Sequence, residues 1–212
     1  MIINGNNSPK KIGVMGGAFN PIHHGHLVTA QEALDQFGLD EVIFIPTGDP
    51  PHKKEDLLAH AEDRYLMTVI ATSSNSSFFV SRIEIDRKGK SYTIDTVKEL
   101  RKIFGTGSEL YFITGADAIL EILSWKNTSE IVMLTKFIAA TRPGYDLSRI
   151  KDLKTTLFNS EDEANQKIFI MEIPALAISS TDIRQRTKVG RSINYLAPEG
   201  VNNYILKHGL YK

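Results

Sequence analysis

The chain has 212 residues, 42% of them hydrophobic and 24% charged, enough to bury the core of one soluble domain. Its formal net charge is zero, which excludes a broad positive field for tracking a nucleic-acid polymer or an anionic membrane but leaves room for a local anion site. The absence of cysteine excludes disulfides, thiolate catalysis and thiolate zinc sites, and makes a reducing cytosol the natural compartment.

The opening MIINGNNSPKK has no apolar stretch of signal-peptide length, and no later run approaches the ~20 apolar residues of a membrane span. A cytoplasmic protein is expected. KIGVMGG (Lys11 to Gly17) reads as a buried strand feeding a glycine turn. HLVTAQEALDQFG follows with Leu27, Ala30, Leu34 and Phe37 at helical spacing and Gly38 as its stop. EVIFIP (Glu41 to Pro46) is β-branched and aromatic, hence a second strand. The prolines and lysines of TGDPPHKKED, among them Lys53 and Lys54, mark a long surface loop. AEDRYLMTVIAT predicts a helix, FFVSRIEID a strand, and TIDTVKELRKIFG a helix closed by Gly105. ELYFITG predicts a strand, DAILEILSW opens a helix, and KFIAATRPG, a helical stretch, KIFIMEIP and SSTDIRQRTKVG continue the alternation. Such regular strand–helix alternation predicts a doubly wound parallel sheet in a single α/β domain spanning 1–212. Its core covers 11–175, and a small helical part covers 176–212.

Three of the six histidines, His23, His24 and His26, crowd into GGAFNPIHHGH at the end of the first strand. A surface turn that happens to be rich in histidine is the plainest reading. A zinc site is a second, but residues so close in a tight turn rarely converge on one tetrahedral centre, and no neighbouring carboxylate or cysteine completes the set. A dehydrogenase turn fails because Gly13, Gly16 and Gly17 do not keep the G-x-G-x-x-G spacing. Phosphate fits best. The turn lies at the carboxyl edge of a parallel sheet, Gly16 and Gly17 let backbone approach an anion, and the next helix starts near Gly25 with free N–H groups and a positive dipole end. His23 and His26, three apart across the helix start, add two donors.

GGAFNPIHHGH resembles the G-G-[TS]-F-[DN]-P-x-H-x-G-H signature of the HxGH nucleotidyltransferase superfamily, with His23 and His26 as its signature histidines and His24 at the variable position. ISSTDIR (Ile178 to Arg184) is similar to the I-S-S-T-x-I-R block of the adenylyltransferase branch. Between them PPHK, SYTIDT, ITGADAILEILSWKN and TRPGY resemble stretches of the bacterial nicotinate-nucleotide adenylyltransferases, so the likeness covers nearly the whole chain. Ala18 departs from a position where the family often carries a hydroxyl.

The resemblance implies a Rossmann-like nucleotidyltransferase fold and transfer of the adenylyl group of ATP to nicotinate mononucleotide. A phosphate monoester is already an ionised nucleophile, so no triad is needed, and catalysis rests on alignment and charge stabilisation. Catalysis falls to His23, His26 and Arg184. ATP falls to Gly16, Gly17, Ala18, Phe19, His23, His26, Ser179, Ser180 and Arg184, with Ser180 and Arg184 on the β- and γ-phosphates. Asn20, Lys53, Thr93, Asp117, Trp125 and Arg142 are expected around nicotinate mononucleotide, Thr93 beside its carboxylate and Trp125 stacked on its ring. Mg²⁺ is expected through the substrate phosphates with no protein metal ligands. The alternatives are another acceptor (nicotinamide mononucleotide or phosphopantetheine) and a regulator that binds nucleotide without turnover. Self-association into a homo-oligomer is left open by the sequence.

Overall fold

Apolar residues alternate along the central strands, and this alternation decides which face of the sheet each side chain enters. In a computed structural model describing residues 9–50, 58–174 and 176–212, β1 (Lys11–Gly17) sends Met15 to one apolar cluster and Ile12 and Val14 to the other. After α1 (His24–Phe37), β2 (Glu41–Pro46) splits the same way, Val42 and Phe44 opposite Ile43 and Ile45. Then come α2 (Ala61–Thr72), β3 (Phe78–Val80), α3 (Thr93–Phe104) and β4 (Glu109–Gly115). The chain continues through α4 (Ala116–Ile119), α5 (Thr128–Leu134), β5 (Lys136–Thr141), α6 (Ser148–Leu157), α7 (Glu161–Lys167) and β6 (Ile168–Glu172). It ends in α8 (Ser180–Lys188) and α9 (Glu199–Lys207).

The six strands lie in the order β3-β2-β1-β4-β5-β6 with every pairing parallel, so the expected doubly wound sheet is present. Helices α1, α2, α8 and α9 bury Ala30, Ala33, Met67, Ile183, Val201 and Ile205 against one face. Helices α3 to α7 bury Ile94, Ile119, Ile131, Ile150 and Ala164 against the other. The winding reverses between β1 and β4, and a parallel sheet opens its ligand crevice beyond the carboxyl ends of two such strands. Those ends are Gly16–Gly17 and Thr114–Gly115.

Two elements differ from expectation. The strand read through Asp86 stops at Val80: the Asp86 amide bonds to the Arg82 carbonyl at 2.9 Å, and Arg82 pairs with Glu62 and Asp86, so the chain turns and carries Glu84 inward. The helix opened by DAILEILSW breaks after α4 into a short 3₁₀ turn over Ile122–Ser124. Thr128 ends it by donating to the carbonyls of Ile122 (2.7 Å) and Trp125 (2.9 Å), which leaves Trp125 with extended backbone.

Candidate active site

His23 is the N-cap of α1, and His26 occupies the third helical position. The His26 ring reaches back so that its Nδ1 accepts the His23 amide at 3.2 Å, which leaves the proton of a neutral ring on Nε2 as a donor. The two imidazoles stack at 3.8 Å between centroids, 26° from parallel. With nitrogens side by side and one already engaged, the pair does not converge as zinc ligands would. His23 is only 7% exposed, and burial, reinforced by the charge of His24, lowers its pKa to about 4, so the ring is neutral near pH 7. Gly25 clears the space for that ring: a Cβ there would lie 3.0 Å from His23 Cε1 and Nδ1. Phe19, buried, packs edge-on against His26 at 5.2 Å.

The expectation of a row of free amides at the start of α1 needs correcting. The His24 amide donates to the Leu196 carbonyl (3.1 Å) and the His26 amide to the His23 carbonyl (3.0 Å). The second block behaves similarly. Ser179 is the N-cap of α8 and accepts the Asp182 amide at 3.1 Å. The Ser180 hydroxyl donates to the Pro21 carbonyl at 2.8 Å, and Arg184 donates to the Asn20 carbonyl at 2.8 Å and to the Thr181 hydroxyl at 3.2 Å. The Ala18 carbonyl accepts from Arg64 at 2.8 Å. Three carbonyl dipoles of the turn are thus answered by side chains from α2 and α8, which weakens their repulsion of an arriving anion. Ser180 and Arg184 brace the histidine turn in this structure.

Two cavities meet over the end of β1, sharing Gly16 and Thr114. One, of about 500 Å³, is lined by His23, Gly25, His26, Asp117, Arg142, Tyr145 and Ile178 among others. The other, of about 560 Å³, is lined by Gly17, Ala18, Pro50, Glu84, Thr93, Trp125 and Lys126 among others. The residues expected around one acceptor therefore divide. Thr93, the first residue of α3, and Trp125, edge-on to Phe112 at 5.7 Å, line the second cavity. Asp117 and Arg142 line the first. Asn20 is buried, its Oδ1 accepting the Ala59 amide (3.0 Å) and the Tyr211 hydroxyl (2.8 Å). Lys53 and Lys54 lie outside the described residues.

Sequence reading missed Arg64, Glu84 and Tyr145. Arg64 is buried on α2 beside the cavities, although Met67, Thr68 and Ala71 mark that stripe of the helix as inward, a spacing visible in AEDRYLMTVIAT. Glu84 accepts from the Thr96 hydroxyl at 2.7 Å, and burial raises its pKa against the pull of Thr96 and Arg87. The Tyr145 hydroxyl donates to Asp117 Oδ1 at 2.8 Å across the mouth of the histidine cavity.

Comparison with known proteins shows the family and the fold. The model of the cytidylyltransferase-like family matches residues 14–186. A relative from Moorella thermoacetica, named probable nicotinate-nucleotide adenylyltransferase, is 54% identical over 96% of this chain and 93% of its own length. One of the same name from Thermoanaerobacter sp. is 52% identical over 95% of this chain and 94% of its own. Among solved structures, a Plasmodium falciparum nicotinic acid mononucleotide adenylyltransferase complexed with NaAD has the same fold, with a TM-score of 0.75 at 23% identity, over 95% of this chain and 97% of that one.

Proposed function

The chain belongs to the cytidylyltransferase-like family and, within it, to the nicotinate-nucleotide adenylyltransferases, and on that premise we propose that it joins ATP to nicotinate mononucleotide, a step of NAD synthesis. The products are nicotinate adenine dinucleotide and pyrophosphate. The observation that carries this reading is the pair of cavities meeting over Gly16 and Thr114. A transfer between two nucleotides needs two compartments with one shared border, and that border is where the reacting phosphorus would lie.

In this reading ATP takes the histidine cavity and the acceptor takes the cavity of Thr93 and Trp125. A phosphate oxygen of the acceptor attacks the α-phosphorus, the α–β bridging bond breaks, and pyrophosphate leaves. His26 presents Nε2–H to the charge that develops on the phosphates, held in aim by the bond from the His23 amide. His23, neutral when the site is empty, gains affinity for a proton beside a triphosphate. Ser180 and Arg184 hold the turn that carries both histidines. Asp117 and Arg142 line the histidine cavity, which supports a place for them beside ATP rather than the pyridine ring. A divalent cation, Mg²⁺ in this reading, would be held by the phosphates and water, neutralising charge on the leaving group.

The test is incubation of the protein with ATP, Mg²⁺ and either nicotinate mononucleotide, nicotinamide mononucleotide or phosphopantetheine, following pyrophosphate release. Fastest release with nicotinate mononucleotide is expected. No release with any acceptor would leave a nucleotide-binding regulator, and fastest release with phosphopantetheine would reassign the acceptor.

A further inference from the structure

Arg64 is 1% exposed, with no carboxylate in an ion pair with it among the described residues. Burial lowers its pKa, opposed by Tyr211 and Glu84, but a guanidinium starts so high that it stays charged. An isolated buried cation is costly unless its donors are met. Here each of its three nitrogens donates to a backbone carbonyl, and the three carbonyls come from three segments. Nε donates to Ala59 at 3.0 Å, Nη1 to Ala18 at 2.8 Å, and Nη2 to Gly48 at 3.2 Å. Ala18 belongs to the histidine turn. Gly48 belongs to the stretch after β2 whose Pro50 lines the acceptor cavity, and Ala59 leads into α2.

The same three segments are linked elsewhere, and a fourth, before α3, joins them through Ser91. The Thr47 amide donates to the Gly17 carbonyl at 2.9 Å, the Ala59 amide to Asn20 Oδ1 at 3.0 Å, and the Ser91 amide to the Asp49 carbonyl at 2.9 Å. Gly48 sits so tightly that a Cβ would come within 2.2 Å of the Glu84 carbonyl oxygen. One rigid, planar group thus stands where the ATP-side turn and the acceptor-side wall come together.

Resting on the adenylyl-transfer reading, we propose that Arg64 is a positioning residue that fixes the histidine turn in register with the acceptor wall, so that the two reacting phosphates meet in line. In-line transfer is intolerant of misplacement: a shift of about 1 Å can cost about a hundredfold in rate without loss of binding. Lysine in its place keeps the charge but loses the fork that reaches three carbonyls at once.

The experiment compares wild type with Arg64→Lys in steady-state kinetics and in amide hydrogen exchange. Expected are a kcat lowered about ten- to a hundredfold, KM values for both substrates within about threefold, and faster exchange at Thr47, Asp49 and Ala59 with the central strands unchanged. Unchanged kcat per folded molecule would overturn the proposal, as would a loss confined to KM or exchange that quickens evenly along the chain. Should Arg64→Lys not fold, Arg64→Gln, which keeps two N–H donors without the charge, is judged on the same readouts. Wild type that forms no dinucleotide would refute the reaction itself, and the exchange comparison would still decide whether Arg64 fixes turn against wall.

Discussion

Lowering the pH from neutral should destabilise this protein through His23. The ring has an ordinary pKa of 6.5 in the unfolded chain and about 4 in the folded one. The folded value is the lower, so between the two the unfolded chain binds the extra proton, and stability falls as pH falls. The loss starts near pH 6.5 and is complete below about 4. At pH 5 the folded ring is still neutral while the unfolded one is about 1.5 pH units below its pKa, which at 1.36 kcal/mol each gives about 2 kcal/mol. That figure hardly depends on the folded value, because only the unfolded state titrates there. With His23 7% exposed, solvent screening takes little from it. The assay is urea unfolding followed by circular dichroism at pH 7.5 and pH 5, for wild type and His23→Asn. Other groups titrate in both proteins, so the difference between the two pH dependences isolates His23. Wild type should lose about 2 kcal/mol more than the variant. Parallel losses would refute the reasoning and mean that His23 takes up its proton in the folded state as readily as in water.

His26→Ala should leave the fold intact and lower kcat about a hundredfold or more, because it removes a donor aimed at developing charge; near-normal turnover would end its assignment to the triphosphate. Nicotinate mononucleotide should be preferred to the amide by roughly tenfold to a few hundredfold in kcat/KM, since donors around Thr93 suit a carboxylate and leave an amide N–H₂ unpaired. Equal kinetics with both acceptors would contradict it, and Glu84, facing the same cavity, would be the group to mutate next. Gly48→Ala should cost about 2 kcal/mol or more, a fall in Tm of about 4–8 °C, because the added methyl collides with the backbone of Glu84. An unchanged melting curve would show that the stretch moves aside.

Periodicity carried the fold well, because strands buried on both faces and amphipathic helices write their spacing into the chain. The strand read through Asp86 failed because Arg82 and Asp86 pair with each other, a contact that alternation does not announce. At the site, the histidines and Ser179 were legible through local motifs. What Ser180 and Arg184 touch was not: their partners are carbonyls of Pro21 and Asn20, and a carbonyl carries no side-chain identity to read. Asp117 and Thr93 likewise gave no sign that they line different cavities, since that follows from where α4 and α3 sit on the folded sheet. Arg64 was legible as a charge on an inward stripe, but the three carbonyls that answer it were not.

The bonds on Asn20 have a consequence for how the protein comes to be active. Its carbonyl is held from residue 184 and its side chain from residue 211, separations of 164 and 191 positions. Contacts that distant close late, after the chain has lost the entropy of closing the intervening loop. On that ordering, the histidine turn of β1 lacks these two braces until the segment after β6 has folded back over it. Turnover should therefore lag behind sheet formation in refolding, and gentle loosening of α8 and α9 should silence the site while the six strands stay paired.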